Sequence, residues 1–131
     1  MPAGFRAGDT FLYPLDQSRK EHLWVIATEP DNEGQFVIVS LTSLRGSKDQ
    51  TVILFAREHD FVQHDTCVHY ASAELSDSAK LQTWLDRNTA KMHRPMRPDI
   101  LKLIGDGFAA SDFTRKRIVE FIRAYRLRSQ H

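Results

Sequence analysis

Gln35-Phe36-Val37-Ile38-Val39-Ser40-Leu41 is apolar almost throughout and rich in β-branched residues. It is too short for a typical helix, and turn chemistry bounds it on both sides. Before it, Glu29 to Gly34 (EPDNEG) carries Pro, Asp, Asn and Gly, which reverse a chain tightly. After it, Thr42 to Gln50 (TSLRGSKDQ) reads as a loop. Such a run predicts a central strand covered on both faces. Working outward, His22 to Thr28 predicts a strand of aromatic and β-branched residues. Residues 16–21 form a polar loop before it. Gly8-Asp9 marks a turn into Thr10-Phe11-Leu12-Tyr13, a first strand ended by Pro14. Thr51 to Leu54 predicts a fourth strand. Thr66 to Glu74 predicts a fifth, alternating Cys67 and His69 with Val68 and Tyr70, so that one face is polar. Short strands joined by turns at this spacing indicate a small antiparallel barrel or a strongly curled sheet. Nothing alternates them with helices, so a parallel α/β sheet is not expected.

The second half changes period. Ser76-Asp77-Ser78 offers N-caps for a short helix through Trp84 and Leu85. Asn88 to Met96 reads as irregular. Pro98 suits the first turn of a helix over residues 99–108, with Ile100, Leu101, Leu103, Ile104 and Phe108 on one side. Ser111 or Thr114 caps a last helix to about Tyr125, its apolar face Ile118, Val119, Phe121, Ile122 and Tyr125. The expected class is therefore mainly β with C-terminal helices: a barrel over residues 1–75 and two to three helices over 76–131, in a single domain.

The chain has 131 residues and a formal net charge of +1, so no global field draws it to nucleic acid or membrane. Charge is concentrated locally: Arg115, Lys116, Arg117, Arg123, Arg126 and Arg128 face the single Glu120. That face suits nucleic acid, an acidic partner, or simple solvation. Lys91-Met92-His93-Arg94 is a second basic cluster. One cysteine cannot form an internal disulfide, which fits a reducing compartment. The N-terminus lacks the apolar run of a signal peptide, and no stretch approaches the roughly 20 apolar residues of a membrane span. A soluble cytoplasmic protein is expected.

His59 to Tyr70 (HDFVQHDTCVHY) holds three of the six histidines and the only cysteine. His59, His64 and His69, with Asp60 and Asp65, carry imidazole and carboxylate groups that could bind a metal if the chain bends between them, although the spacing matches no tight metal motif. Imidazoles also transfer protons near neutral pH. A plainer reading makes His64-Asp65 the turn before the fifth strand, with Phe61 and Val68 serving the core. Cys67 beside histidine could be a nucleophile, or a small buried hydrophobe. Thr42-Ser43-Leu44-Arg45-Gly46-Ser47-Lys48 combines hydroxyls and cations suited to a phosphate backbone. There is no glycine-rich phosphate loop, paired-cysteine zinc pattern or nucleophile elbow.

The order of these elements resembles the PemK/MazF family of toxin ribonucleases over roughly residues 8–75. Gly8-Asp9-Thr10-Phe11 is similar to that family's opening strand, His22 to Thr28 to its second, and Val37 to Ser43 (VIVSLTS) to its apolar strand ending in Thr-Ser. His22 follows Glu21 where the family has arginine, and Tyr70-Ala71-Ser72-Ala73 stands where its later catalytic signature falls. The resemblance implies an SH3-like barrel and a toxin-like endoribonuclease acting on single-stranded RNA without metal or other cofactor. It places Thr42 and Ser43 at the catalytic position, with His22 or His64 transferring protons. Arg45, Lys48, His69 and Tyr70 would contact substrate. It further implies a protein antitoxin as partner and a homodimer formed through the barrel edge. The alternative is a non-catalytic module that binds a protein or RNA through its basic helical face.

Overall fold

The computed structural model describes residues 4–14, 20–55, 57, 59 and 62–129. Six strands, β1 (Thr10–Pro14), β2 (Glu21–Ile26), β3 (Gln35–Ser43), β4 (Ile53–Leu54), β5 (Thr66–Asp77) and β6 (Lys91–His93), form one sheet in the order β4-β5-β3-β2-β1-β6. Every neighbouring pair is antiparallel. Among the described residues three helices follow or interrupt them: α1 (Ser78–Asp86), α2 (Pro98–Ala110) and α3 (Lys116–Ser129). The mainly β fold with C-terminal helices expected from the sequence is the one found, its sheet curled into a half-barrel.

β3 lies at the centre because both of its faces find apolar cover. Val37, Val39 and Leu41 enter one core with Leu23 and Val25 of β2, Val68 and Tyr70 of β5, and Ile104, Phe108, Ile118 and Ile122 of α2 and α3. Phe36 and Ile38 enter a second core on the opposite face with Phe11, Trp24, Ile26 and Leu81 of α1. Strand alternation thus divides one hydrophobic run between two layers. Each fully buried side chain of this size contributes roughly 1.5–3 kcal/mol.

The two sheet edges are brought together by side chains. His59, in the connection after β4, places Nε2 2.7 Å from the Arg94 carbonyl oxygen just beyond β6. Its ring lies 5.2 Å from that of His93. Thr10 Oγ1 donates to the same Arg94 carbonyl at 2.5 Å. The His59 contact links the two edges of the curled sheet, and the Thr10 contact lies within the neighbouring β1–β6 pair.

Several expected boundaries change for physical reasons. The fourth strand shrinks to Ile53–Leu54 because the Asp49 carboxylate takes the Thr51 amide at 3.2 Å and its hydroxyl at 2.7 Å, forming a turn there. β5 runs on to Asp77, whose carboxylate caps α1 by accepting from the Lys80 amide at 2.7 Å. The stretch read as irregular contains β6, paired to β1 from Thr10↔His93 to Leu12↔Lys91. The barrel thus takes a strand from the half read as purely helical. Pro98 opens α2 as expected, but Leu103 is half exposed rather than on the buried side. Ser111 ends α2 instead of capping α3: its hydroxyl donates to Asp49 Oδ2 at 2.8 Å and accepts from the Phe113 amide at 3.1 Å. Thr114 Oγ1 is buried with no hydrogen-bond partner among the described residues. Asp60 and Phe61 lie outside the described residues.

Candidate functional site

The site forms where β3 ends. Antiparallel pairing sets Thr42 opposite Cys67 and Ser43 opposite Thr66, while Ser40 faces His69. Between Ile38↔Glu74 and Ser40↔His69, β5 spends more residues than β3, a bulge over residues 70–73. Bulges bend a strand and re-aim its side chains. This one is held from both sides. Ser72 Oγ lies 2.7 Å from Ser40 Oγ and accepts from the Ser40 amide at 3.1 Å. Arg115 Nη2 donates to the Ala73 carbonyl oxygen. His69 sits at the start of the bulge, half-buried beside Thr42.

Beyond Ser43 the chain leaves the sheet. Gly46, at φ +80°, adopts a left-handed conformation that other residues strain to reach. Asp49 is nearly buried and ties the loop to α2 through Ser111. Two grooves flank Thr42 and Ser43. The larger, of about 400 Å³, is lined by Thr42, Ser43, Arg45, Ser47, Lys48, Asp49 and His69, with Phe113 from the α2–α3 connection. The smaller, of about 170 Å³, is lined by Lys20, Glu21, His22, Thr42, Ser43, His64 and Thr66 over apolar Leu41 and Val62.

The three imidazoles near Thr42 differ in setting. His22 turns Nδ1 towards the Leu41 carbonyl oxygen at 3.3 Å. A proton on Nδ1 would make that contact a hydrogen bond and leave Nε2 as an acceptor. His69 is held below the ordinary histidine value, chiefly by burial; the Asp49 carboxylate opposes this and the charge of His22 adds to it. His64 is exposed at the mouth of the smaller groove.

Most residues singled out from sequence converge here: His22, Thr42, Ser43 and His64 around one groove, Thr42, Ser43, Arg45, Lys48 and His69 around the other. Tyr70 does not. It is fully buried, packs edge-on against Phe108 at 5.0 Å and donates its hydroxyl to the Ile104 carbonyl at 2.7 Å. Its alternation with His69 sends it to the core. His59 is drawn away to Arg94, so the three evenly spaced histidines do not converge. Among the described residues no three His, Cys, Asp or Glu side chains group as metal ligands. Cys67 is fully buried, and burial pushes its thiol above the usual range, against a smaller lowering from a hydrogen bond with Ser47. That environment suits packing rather than nucleophilic attack. Lys20, Glu21, Asp49 and Phe113 were missed. Only Asp49 left a trace, since Ser47-Lys48-Asp49-Gln50-Thr51 has the hydroxyl–carboxylate spacing of a side-chain-bonded turn.

Neither a protein-family model, nor a curated protein, nor a solved structure matches the chain. Among the described residues no helix is long and apolar enough to cross a membrane.

Proposed function

We propose that the protein is an endoribonuclease of PemK/MazF type that cuts single-stranded RNA by acid–base chemistry. One observation carries this reading: His69 lines one groove and His22 the other, and the two grooves share Thr42 and Ser43. Two imidazoles flanking one phosphate position can divide the work, one accepting a proton and the other donating it. Neutral His69 takes the proton of a ribose 2′-hydroxyl. The 2′-oxygen attacks phosphorus, and protonated His22 gives its proton to the departing 5′-oxygen, leaving a 2′,3′-cyclic phosphate. Thr42 and Ser43 hydroxyls donate to the phosphate oxygens, and Arg45 and Lys48 neutralise the pentacovalent intermediate. His64, at the groove mouth, contacts the strand as it enters. Expression should arrest a host, and an inhibitory protein made alongside should relieve the arrest.

The test is cleavage of a mixed single-stranded RNA pool in the presence of a chelator. Products ending in 2′,3′-cyclic phosphate are expected, and His22→Ala or His69→Ala should slow cutting by about 10²–10⁴-fold. Wild-type protein at micromolar concentration that leaves the pool uncut defeats the reading.

A second reading draws on the α2–α3 surface. Gly105, Ala109, Val119, Ile122 and Leu127 line an apolar groove rimmed by Arg123 and Arg126. Its charge fits an acidic amphipathic segment of a protein partner. Two cations are already engaged, Arg115 by Ala73 and Arg126 by Asp106. Leu127→Asp should weaken such a complex without touching RNA cleavage; equal binding by wild type and variant removes this reading.

A further inference from the structure

The antiparallel register of β1 and β2 pairs Tyr13 with His22. Directly opposed residues project from the same face of a sheet, with Cβ atoms about 5 Å apart. Tyr13 is therefore the cross-strand neighbour of a histidine placed in the chemistry above. It is only half-buried, as is Trp84 of α1. The two rings stack at 4.2 Å with an interplanar angle of 16°. Below them the aromatic array continues inward, Tyr13 meeting Trp24 edge-on at 6.5 Å and Phe11 lying against Trp24 at 6.4 Å. The outer pair is thus braced by a fixed core. Lys80 adds a cation, its Nζ 5.4 Å from the Trp84 ring centre.

Both rings pack on their inner sides against the second core, and the cleavage chemistry uses neither. Resting on the ribonuclease reading, we propose that the Tyr13–Trp84 ledge is a nucleobase subsite: an unstacked base of single-stranded RNA lies against the aromatic pair while its neighbouring phosphate sits at Thr42. Aromatic platforms accept any base because every base has a π face, and they favour single strands because a paired base cannot reach them. Lys80, whose Nζ lies over the Trp84 ring, swings aside to meet a phosphate of the bound strand. The subsite restricts cutting to unpaired RNA, a selection the imidazoles alone cannot make.

The experiment uses the full chain and a short single-stranded DNA, which presents bases but has no 2′-hydroxyl and is not cut. Trp84 and Trp24 are the only tryptophans, and Trp24 is buried, so an emission change on binding reports the ledge. We expect saturable quenching that Trp84→Phe abolishes. Anisotropy of a labelled oligonucleotide should show about ten-fold or more weaker binding in Tyr13→Ala, the loss of one base stack. If Tyr13→Ala does not fold, Tyr13→Leu keeps apolar volume without the π face and should show the same loss. Unquenched emission, or equal affinity of wild type and folded Tyr13 variant, overturns the subsite. Cleavage without quenching sinks the subsite alone; quenching without cleavage of RNA sinks the ribonuclease reading and leaves the subsite standing.

Discussion

The hydroxyl of Tyr70 passes so close to Gly107 that a methyl group at that position of α2 would lie 1.9 Å from it and 2.7 Å from Val52 Cγ2. β5 and α2 are in contact through a missing side chain, and the Tyr70 hydroxyl uses that gap to reach the Ile104 carbonyl. In an open helix, glycine to alanine stabilises by roughly 1 kcal/mol. Here the sign reverses: Gly107→Ala should destabilise by about 1–3 kcal/mol, the usual cost of overpacking. Denaturant unfolding reads this directly, and a variant as stable as wild type would contradict the close approach.

The pH dependence of cleavage should bear the mark of His69. Its pKa is lowered chiefly by burial, so it stays neutral, and able to accept a proton, to a pH below the ordinary histidine value. The acidic limb of the rate profile should then fall below about pH 6.5. Asp49 opposes this lowering, so Asp49→Asn should move the limb further towards acid. The same sign governs stability. The unfolded chain binds a proton at His69 more readily than the folded one, so stability should fall as pH drops from about 6.5 through the folded value. An acidic limb above the ordinary histidine value would assign the base elsewhere.

Cys67 should be dispensable for chemistry. Its thiol is buried and its pKa raised by that burial, so alkylation of the folded protein should be slow and should become fast on unfolding. Cys67→Ala is expected to keep cutting RNA within a few-fold of wild type. Loss of cleavage in a folded Cys67→Ala protein would reopen the nucleophile reading.

Ser72 Oγ donates to the His69 carbonyl at 2.6 Å and accepts from the Ser40 hydroxyl and amide at the bulge, so removing Ser40 and removing Ser72 should not cost the same. Ser72→Ala leaves both the buried Ser40 hydroxyl and the Ser40 amide without the oxygen they use; an unsatisfied buried group costs about 1–3 kcal/mol. Ser40→Ala removes only one side of the hydroxyl contact and should cost less. The ordering, measured by urea midpoints, is the test: a costlier Ser40→Ala would mean the bulge is held by something else.

What the sequence disclosed follows the range of the forces involved. β3 was legible because Val37, Ile38 and Val39 are apolar on both faces, and that alone requires a layer on each side. Asp77 and Pro98 mark their helices because capping acts within one turn. β6 was not legible: Lys91-Met92-His93 has no strand pattern, and it forms because β1, some 80 residues away, offers an open edge. The bulge was equally hidden, since Tyr70-Ala71-Ser72-Ala73 continues a strand-like run, and the register shift shows only against Val39. In the candidate site, His22, Thr42, Ser43 and His64 came together as adjacent strand ends allow. Tyr70 was given to substrate although its alternation already placed it on the face of Val68, not of His69, and that face is buried.

The seam at Arg94 bears on how the chain folds. Its carbonyl is reached by Thr10, 84 residues earlier, and by His59, 35 residues earlier. The Thr10 contact, at twice the sequence span of the Gln35↔Asp77 pair, carries the larger loop-closure cost and is met late, and His59 can reach Arg94 only once β6 is in place. The β2–β3–β5 region, with ladders on both sides of β3, should assemble first, and the edges should meet only after the transition state. Thr10→Val and His59→Ala would then accelerate unfolding and leave the refolding rate almost unchanged. A barrel fastened last is also one that comes undone first, so the path by which this protein is lost on heating begins at its seam rather than at the groove around Thr42.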